Sequence, residues 1–150
     1  IMHHVKNLAG VEALVQVGIR DLAPDEFAEI ERNPKIKTHF DWDLRRASAR
    51  GVSWAEQCKT IVDGLGENVY LSLDVDGLDP KYCPNTGTPV PGGLEYWELF
   101  ALLETVEKSG RRFVGADLVE VAPARSSDEW DANVGARILF QICQLLREAR

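Results

Sequence analysis

The sequence predicts an α/β fold built on a mainly parallel sheet. Three observations carry that expectation. Short apolar runs alternate with longer amphipathic patterns, the helical patterns carry their own start and stop signals, and two of the apolar runs end in carboxylates. Strands apolar on both faces and separated by helices imply parallel βαβ units. The right-handed crossover rule then places helices on both sides of the sheet.

Each element has its own local reason. Residues 13–19 (ALVQVGI) read as a buried strand, and 24–30 as a short helix with Pro24 in the first turn, where a missing N–H costs nothing. Residues 35–40 read as a second short strand. In 53–65, Ser53 is the expected N-cap and Glu56 completes a capping box. Trp54, Cys58, Ile61, Val62 and Leu65 then share a face, and Gly66 stops the helix. Residues 68–73 (NVYLSL) form a β-rich run, and 94–109 an amphipathic helix closed by Gly110 at C′. Residues 112–121 read as another strand, and 128–147 as a final long helix.

Composition narrows the function classes. The 150 residues suit one domain, 1–150, and carry a net charge of -7. That balance argues against nucleic acid, which needs a basic face. No apolar run is long enough to span a membrane, and no signal-peptide pattern opens the chain. Cys58, Cys83 and Cys143 show no paired spacing, so reduced thiols and a cytoplasmic protein are expected. The chain opens in mid-pattern on Ile1, which reads as a cut. His3 and His4 have no third ligand at helical spacing and read as a solvated helix end.

In parallel sheets, ligands bind beyond the C-terminal ends of strands. There stands SLDVDGLDP, residues 72–80. If the strand persists, Ser72, Asp74 and Asp76 share a face, and the two carboxylates converge. Neighbouring carboxylates repel one another, and a divalent cation removes that penalty. Glu120, near the end of the next strand in ADLVEV, is expected to face the same crevice. Between them CPNTGTPVPGG, with three prolines and three glycines, makes a stiff loop of the kind that walls active sites. An EF-hand is excluded, because Leu78 and Asp79 stand where a ligand and a glycine are needed.

SLDVDGLDP, PNTGTPVPGG and GADLVEVAP in this order, with VGIRDLAPDE upstream, resemble the C-terminal half of the ureohydrolase family of arginases, agmatinases and formimidoylglutamases. The resemblance implies a three-layer α/β/α sandwich and hydrolysis of a guanidino or amidino C–N bond by a metal-bridging hydroxide. It implies a Mn²⁺ pair with Asp74 bridging and Asp76 terminal, Glu120 facing the substrate guanidinium and Thr88 beside it. It implies a small cationic guanidino substrate and a homo-oligomer, trimer or hexamer. Asp79 matches a retained acid that is not a ligand. The family's Gly-Gly-Asp-His and Asp-Ala-His-x-Asp motifs are absent from these residues, and His39 matches no family site. No catalytic residue is therefore assigned, and the 150 residues alone are expected to be inactive and poorly soluble. Ala23 stands where arginases carry a substrate-reading acid, while Glu26 keeps its place, so arginine itself is disfavoured. Two other readings stay open. One is a haloacid-dehalogenase-like phosphatase with Asp74 as nucleophile, which requires Asp74 on the first, central strand. The other is a non-catalytic truncated homologue.

Overall fold

A computed structural model describes residues 1–123 and 128–148. The elements run α1 (Met2–Val5), β1 (Leu14–Ile19), α2 (Pro24–Arg32), β2 (Ile36–Phe40), α3 (Asp41–Ala49), α4 (Trp54–Val62), β3 (Asn68–Asp74), α5 (Tyr96–Lys108), β4 (Arg112–Val119) and α6 (Trp130–Glu148). Among the described residues every strand pairing is parallel, and the strands form two pairs, β1 with β2 and β3 with β4. In β3–β4 the register sets Ser72 opposite Asp117, Leu73 opposite Leu118 and Asp74 opposite Val119.

The core lies between β3–β4 and the helices. Val69 and Leu73 of β3 and Phe113 of β4 point inward. They join Ile61 and Val62 of α4, Leu99, Leu102, Leu103 and Val106 of α5, and Val134, Ile138 and Ile142 of α6. The opposite face of the same strands stays open: Tyr70 is 62% exposed and Val114 56%. That split is the two-residue alternation of a strand with one packed face.

Local signals explain most helix ends. The capping box of α4 forms as the sequence requires: Ser53 Oγ accepts from the Glu56 amide, and Glu56 reaches back to the Ser53 amide at 2.9 Å. Ser109 closes α5, and Gly110 follows with φ 81°, the left-handed geometry of a C′ glycine. The sequence reading left α3 out. This helix follows β2 directly, its N-cap Phe40 makes no side-chain cap, and Leu44 is its one buried apolar residue. Tertiary bonds hold it instead: Arg45 spans to Glu98 of α5 through two 2.9 Å bonds.

The two strand pairs meet at their C-terminal ends. Gly18 of β1 lies against the carbonyl of Gly77 and the side chain of Leu94. Arg20, just past β1, donates to the carbonyls of Asp76 (2.7 Å), Leu78 (3.1 Å) and Val90 (2.8 Å). One guanidinium thus ties the 76–78 segment and Val90 to the end of β1.

Candidate active site

β3 ends at Asp74, two residues earlier than alternation through Asp76 would require. Val75–Gly77 folds into a short 3₁₀ turn. Asp74 Oδ1 accepts from the Asp76 amide at 2.9 Å, so the first aspartate caps the turn that carries the second. Asp76 is therefore brought to the site by a turn and not by the strand's own face alternation. The 78–79 segment is then fixed by Leu94: the Leu94 amide donates to the Gly77 carbonyl, and the Asp79 amide donates to the Leu94 carbonyl. Asp79 accepts from the Lys81 amide at 3.0 Å and so caps the next turn.

Glu120 follows directly on Val119, the register partner of Asp74. Its φ is 63°, in the left-handed region that residues with a side chain rarely adopt. The CPNTGTPVPGG loop closes over it. Thr86 and Thr88 each donate a hydroxyl to the Asp76 carboxylate, one to each oxygen. Thr86 Oγ1 also lies 3.0 Å from the Glu120 carbonyl, so its single proton serves one acceptor at a time. Gly87 sits so close that a Cβ there would stand 3.0 Å from Glu120 Oε2.

The electrostatics agree with this convergence. Burial pushes the Asp74 carboxyl above its ordinary range, the Asp76 amide pulls it back, and the charges of Asp76 and Glu120 push it up again. Three carboxylates thus share one rim, and their oxygens are hard donors suited to Mg²⁺ or Mn²⁺. Among the described residues no group of three His, Cys, Asp or Glu stands in metal-holding geometry. Asp74 and Asp76 accordingly fit as part of a donor set and do not make a complete one. A pocket of about 390 Å³ beside this rim is lined by Pro84, Asn85, Thr86 and Pro123. The larger cleft, about 1030 Å³ between α5 and α6, contains none of the candidate residues.

Comparison with known proteins decides the family. The arginase family model matches residues 1–144. The chain belongs to the arginase family. This arginase-family chain is 48% identical over 89 residues to putative agmatinase 3 of Schizosaccharomyces pombe, covering 59% of the chain and 21% of that protein. It is 33% identical to the mitochondrial agmatinase of Gallus gallus, covering 94% of the chain and 40% of the relative. A crystal structure of a hypothetical agmatinase from Burkholderia thailandensis superposes with a TM-score of 0.73 at 31% identity, over 98% of this chain and 42% of that one. The chain thus spans less than half the length of these relatives. The α/β arginase-like fold expected from the sequence is the fold observed.

Some residues entered the site without a sequence signal. The resemblance implies Thr88 beside Glu120, whereas its hydroxyl bonds the Asp76 carboxylate, and it is Thr86 that reaches both Asp76 and the Glu120 carbonyl. Arg20 carries no sequence signal beyond its place in VGIRDLAPDE. Asp131, 1% exposed, holds Asn85 by accepting from its amide at 2.9 Å and from Nδ2 at 3.1 Å. Nothing in the sequence separates it from a solvated acid in a first helical turn. Glu26 caps α2 through the Ala23 amide at 2.8 Å, on the same short loop as the replaced acid position. His3 and His4 stand edge to face at the exposed N-terminal helix, apart from the carboxylates. Half-buried His39 is held below its ordinary pKa by burial, then by the charge of Lys37. Asp74 lies on the third strand, not the first, which counts against the phosphatase alternative. Among the described residues no helix is long and apolar enough to cross a membrane.

Proposed function

We propose that these residues form the substrate-facing half of an amidinohydrolase site that cleaves a guanidino or amidino C–N bond, of the kind that agmatinases and arginases act on. The observation that carries this reading is the meeting of Asp74, Asp76 and Glu120 at one rim of parallel strands. Asp74 and Asp76 would hold part of a binuclear Mn²⁺ centre. When bound, such a pair supplies Lewis acidity that makes water a competent nucleophile near neutral pH.

The chain's own residues do the positioning. Glu120 can take a guanidinium by paired charge-assisted hydrogen bonds. Its carboxylate then orients the flat cation with its carbon toward the aspartates. Thr86 and Thr88 fix the Asp76 carboxylate, so that its remaining lone pairs point in a defined direction. Substrates without arginine's complete amino-acid end are favoured over arginine, because Ala23 stands where an acid would read that end. Agmatine lacks the carboxylate, and guanidinobutyrate lacks the α-amino group. Trimeric or hexameric assembly and a cytoplasmic location belong to the same proposal, and light scattering with fractionation checks both.

The test is urea release with added Mn²⁺ from agmatine, guanidinobutyrate, arginine and, for formamide release, formiminoglutamate. It is run on the 150 residues alone and on a longer protein that includes them together with the two His-containing motifs. The short chain is expected to be silent. In the longer protein D74N, D76N and E120Q should each lose roughly a hundredfold or more of kcat/KM. Full activity in those variants would end the proposal, and a silent longer protein would favour a non-catalytic homologue.

A further inference from the structure

We propose that Asp131 is a positioning residue of this site, acting from the first turn of α6 through Asn85 and Thr86 on Asp76 and Glu120. The importance of that role for hydrolysis rests on the function proposed above; the geometry does not. Asp131 is 1% exposed, and a buried carboxylate is costly unless it is hydrogen-bonded. Its two oxygens are spent on one residue: Oδ2 accepts from the Asn85 amide, and Oδ1 accepts from the Asn85 side chain. The helix N-terminus around it favours the negative charge.

The Asn85 amide and side chain bond Asp131 and not the acids of the rim. Its consequence lies one residue on. Thr86 is 6% exposed, and its amide donates to the Cys83 carbonyl at 3.3 Å. Its hydroxyl stands between the Asp76 carboxylate and the Glu120 carbonyl. Clamping Asn85 therefore fixes the backbone from which that hydroxyl projects. Cys83 records the same closeness: burial, then the charges of Asp131 and Asp76, pushes its thiol up to about 11. Glu120 holds a left-handed backbone that surrounding contacts must enforce, and the Thr86 hydroxyl on its carbonyl is one of them.

A helix-capping role for Asp131 makes a different prediction from a clamp on Asn85. The clamp can be rebuilt with the partners exchanged. In D131N/N85D the new amide oxygen still accepts the backbone N–H of residue 85, and its NH₂ donates to the new carboxylate. A cap that depends on the negative charge at residue 131 is not restored by that exchange. Asp128 provides the control, because its Oδ1 accepts from the Trp130 amide at 3.0 Å, at the start of the same helix.

The experiment reads backbone amides by NMR in the 150-residue chain, in the absence of metal and substrate. D131A is expected to speed exchange of the Asn85 amide roughly tenfold or more and to shift the amide resonances of Asp76 and Glu120. D128A should leave all three near their wild-type positions. T86V should shift Asp76 and Glu120 while leaving Asn85 exchange unchanged. D131N should resemble D131A, and D131N/N85D should return the signals toward wild type. Should D131A fail to fold, D131N against D131N/N85D decides alone. Unmoved Asp76 and Glu120 resonances in D131A, an equal effect from D128A, or an exchanged pair no better than D131N would overturn the proposal. These readouts need no turnover, so failure of the hydrolase reading and failure of the clamp are told apart.

Discussion

The guanidinium of Arg20 donates to the backbone carbonyl of Asp76 at 2.7 Å, across 56 residues of sequence. That bond joins the end of β1 to the turn carrying the second aspartate. The same Nη2 reaches Leu78 and Val90, Nε reaches Val90 at 3.0 Å, and Nη1 reaches the Gly18 carbonyl at 3.3 Å. The acidic turn is therefore held from behind, through its carbonyls, while the Asp76 carboxylate faces the threonines.

Replacing Arg20 should cost both stability and site order. Arg20→Ala leaves the Asp76, Leu78 and Val90 carbonyls without this donor, and part-buried charge-assisted bonds of this kind are worth on the order of 1.5–3 kcal/mol. Arg20→Lys should recover less than half of the loss, because an ammonium cannot span the fork of acceptors. Urea denaturation of the three proteins measures this. Equal midpoints for wild type and Arg20→Ala would show that the clamp contributes nothing.

A methyl at Gly93 should be among the most damaging small changes. Gly93 has φ 97°, and a Cβ there would stand 2.5 Å from the Leu78 carbonyl oxygen and 2.9 Å from the Asp79 amide nitrogen. Backbone cannot yield as a side-chain tip can. The bridge between Leu78 and Leu94, which anchors the turn after Asp76, would have to open. Gly93→Ala should lose about 2–4 kcal/mol, read as a lower denaturation midpoint. Gly110→Ala, strained in φ but with no heavy atom within 4 Å, should lose only about 1 kcal/mol.

These positions show how far the sequence could be read. Ser53 and Glu56 announced α4 because a capping box is a local arrangement and both partners lie within one turn. The β3 and β4 runs were legible from their apolar periodicity, and the family motifs placed Asp74 and Glu120 at the rim. What failed was anything decided by distant partners. α3 depends on Arg45 reaching Glu98. The turn at Val75–Gly77 has a local cap in Asp74, but its carbonyls are held by Arg20 and Leu94 from elsewhere in the chain. Asp131 is functional in the arrangement only because Asn85, 46 residues away, comes to it. Spacing along a chain carries no trace of such pairings.

Alkaline pH should weaken the fold partly through Cys58. This thiol is fully buried, and burial first, with the charge of Glu98 against the bond from Thr105, pushes it from 9.0 to about 11. The unfolded thiol ionises near its ordinary value, while the folded one keeps its proton. Between about pH 9 and 11 the unfolded state therefore binds fewer protons, and stability falls as pH rises. A shift of this size costs about 2–3 kcal/mol by the top of that window. Cys58→Ala should flatten the decline between pH 9 and 11 by one proton's slope, even if its packing loss lowers stability throughout. Thiol titration offers an independent check: exposed Cys143 should react in the native protein, and Cys58 and Cys83 only on unfolding. Parallel pH profiles for wild type and Cys58→Ala would contradict the assignment.

Gly87→Ala separates recognition from folding. A Cβ at residue 87 meets Glu120 Oε2 at 3.0 Å and no other heavy atom within 4 Å. The obstacle is the free end of a side chain, so Glu120 can swing aside and the fold need not adjust. Stability should change by less than about 1 kcal/mol. The carboxylate, however, would leave its position against Gly87, from which it can face a guanidinium. A bidentate contact is intolerant of such a displacement. Titrating guanidinium-bearing ligands such as agmatine against the 150-residue chain, with chemical shifts near Glu120 as readout, should give weaker binding for Gly87→Ala and for E120Q alike. Thr88→Val, which strips a donor from Asp76 but leaves Glu120 in place, should weaken it less. If Gly87→Ala binds as well as wild type while E120Q does not, the Glu120 carboxylate recognises the cation from some other position than the one this loop now defines.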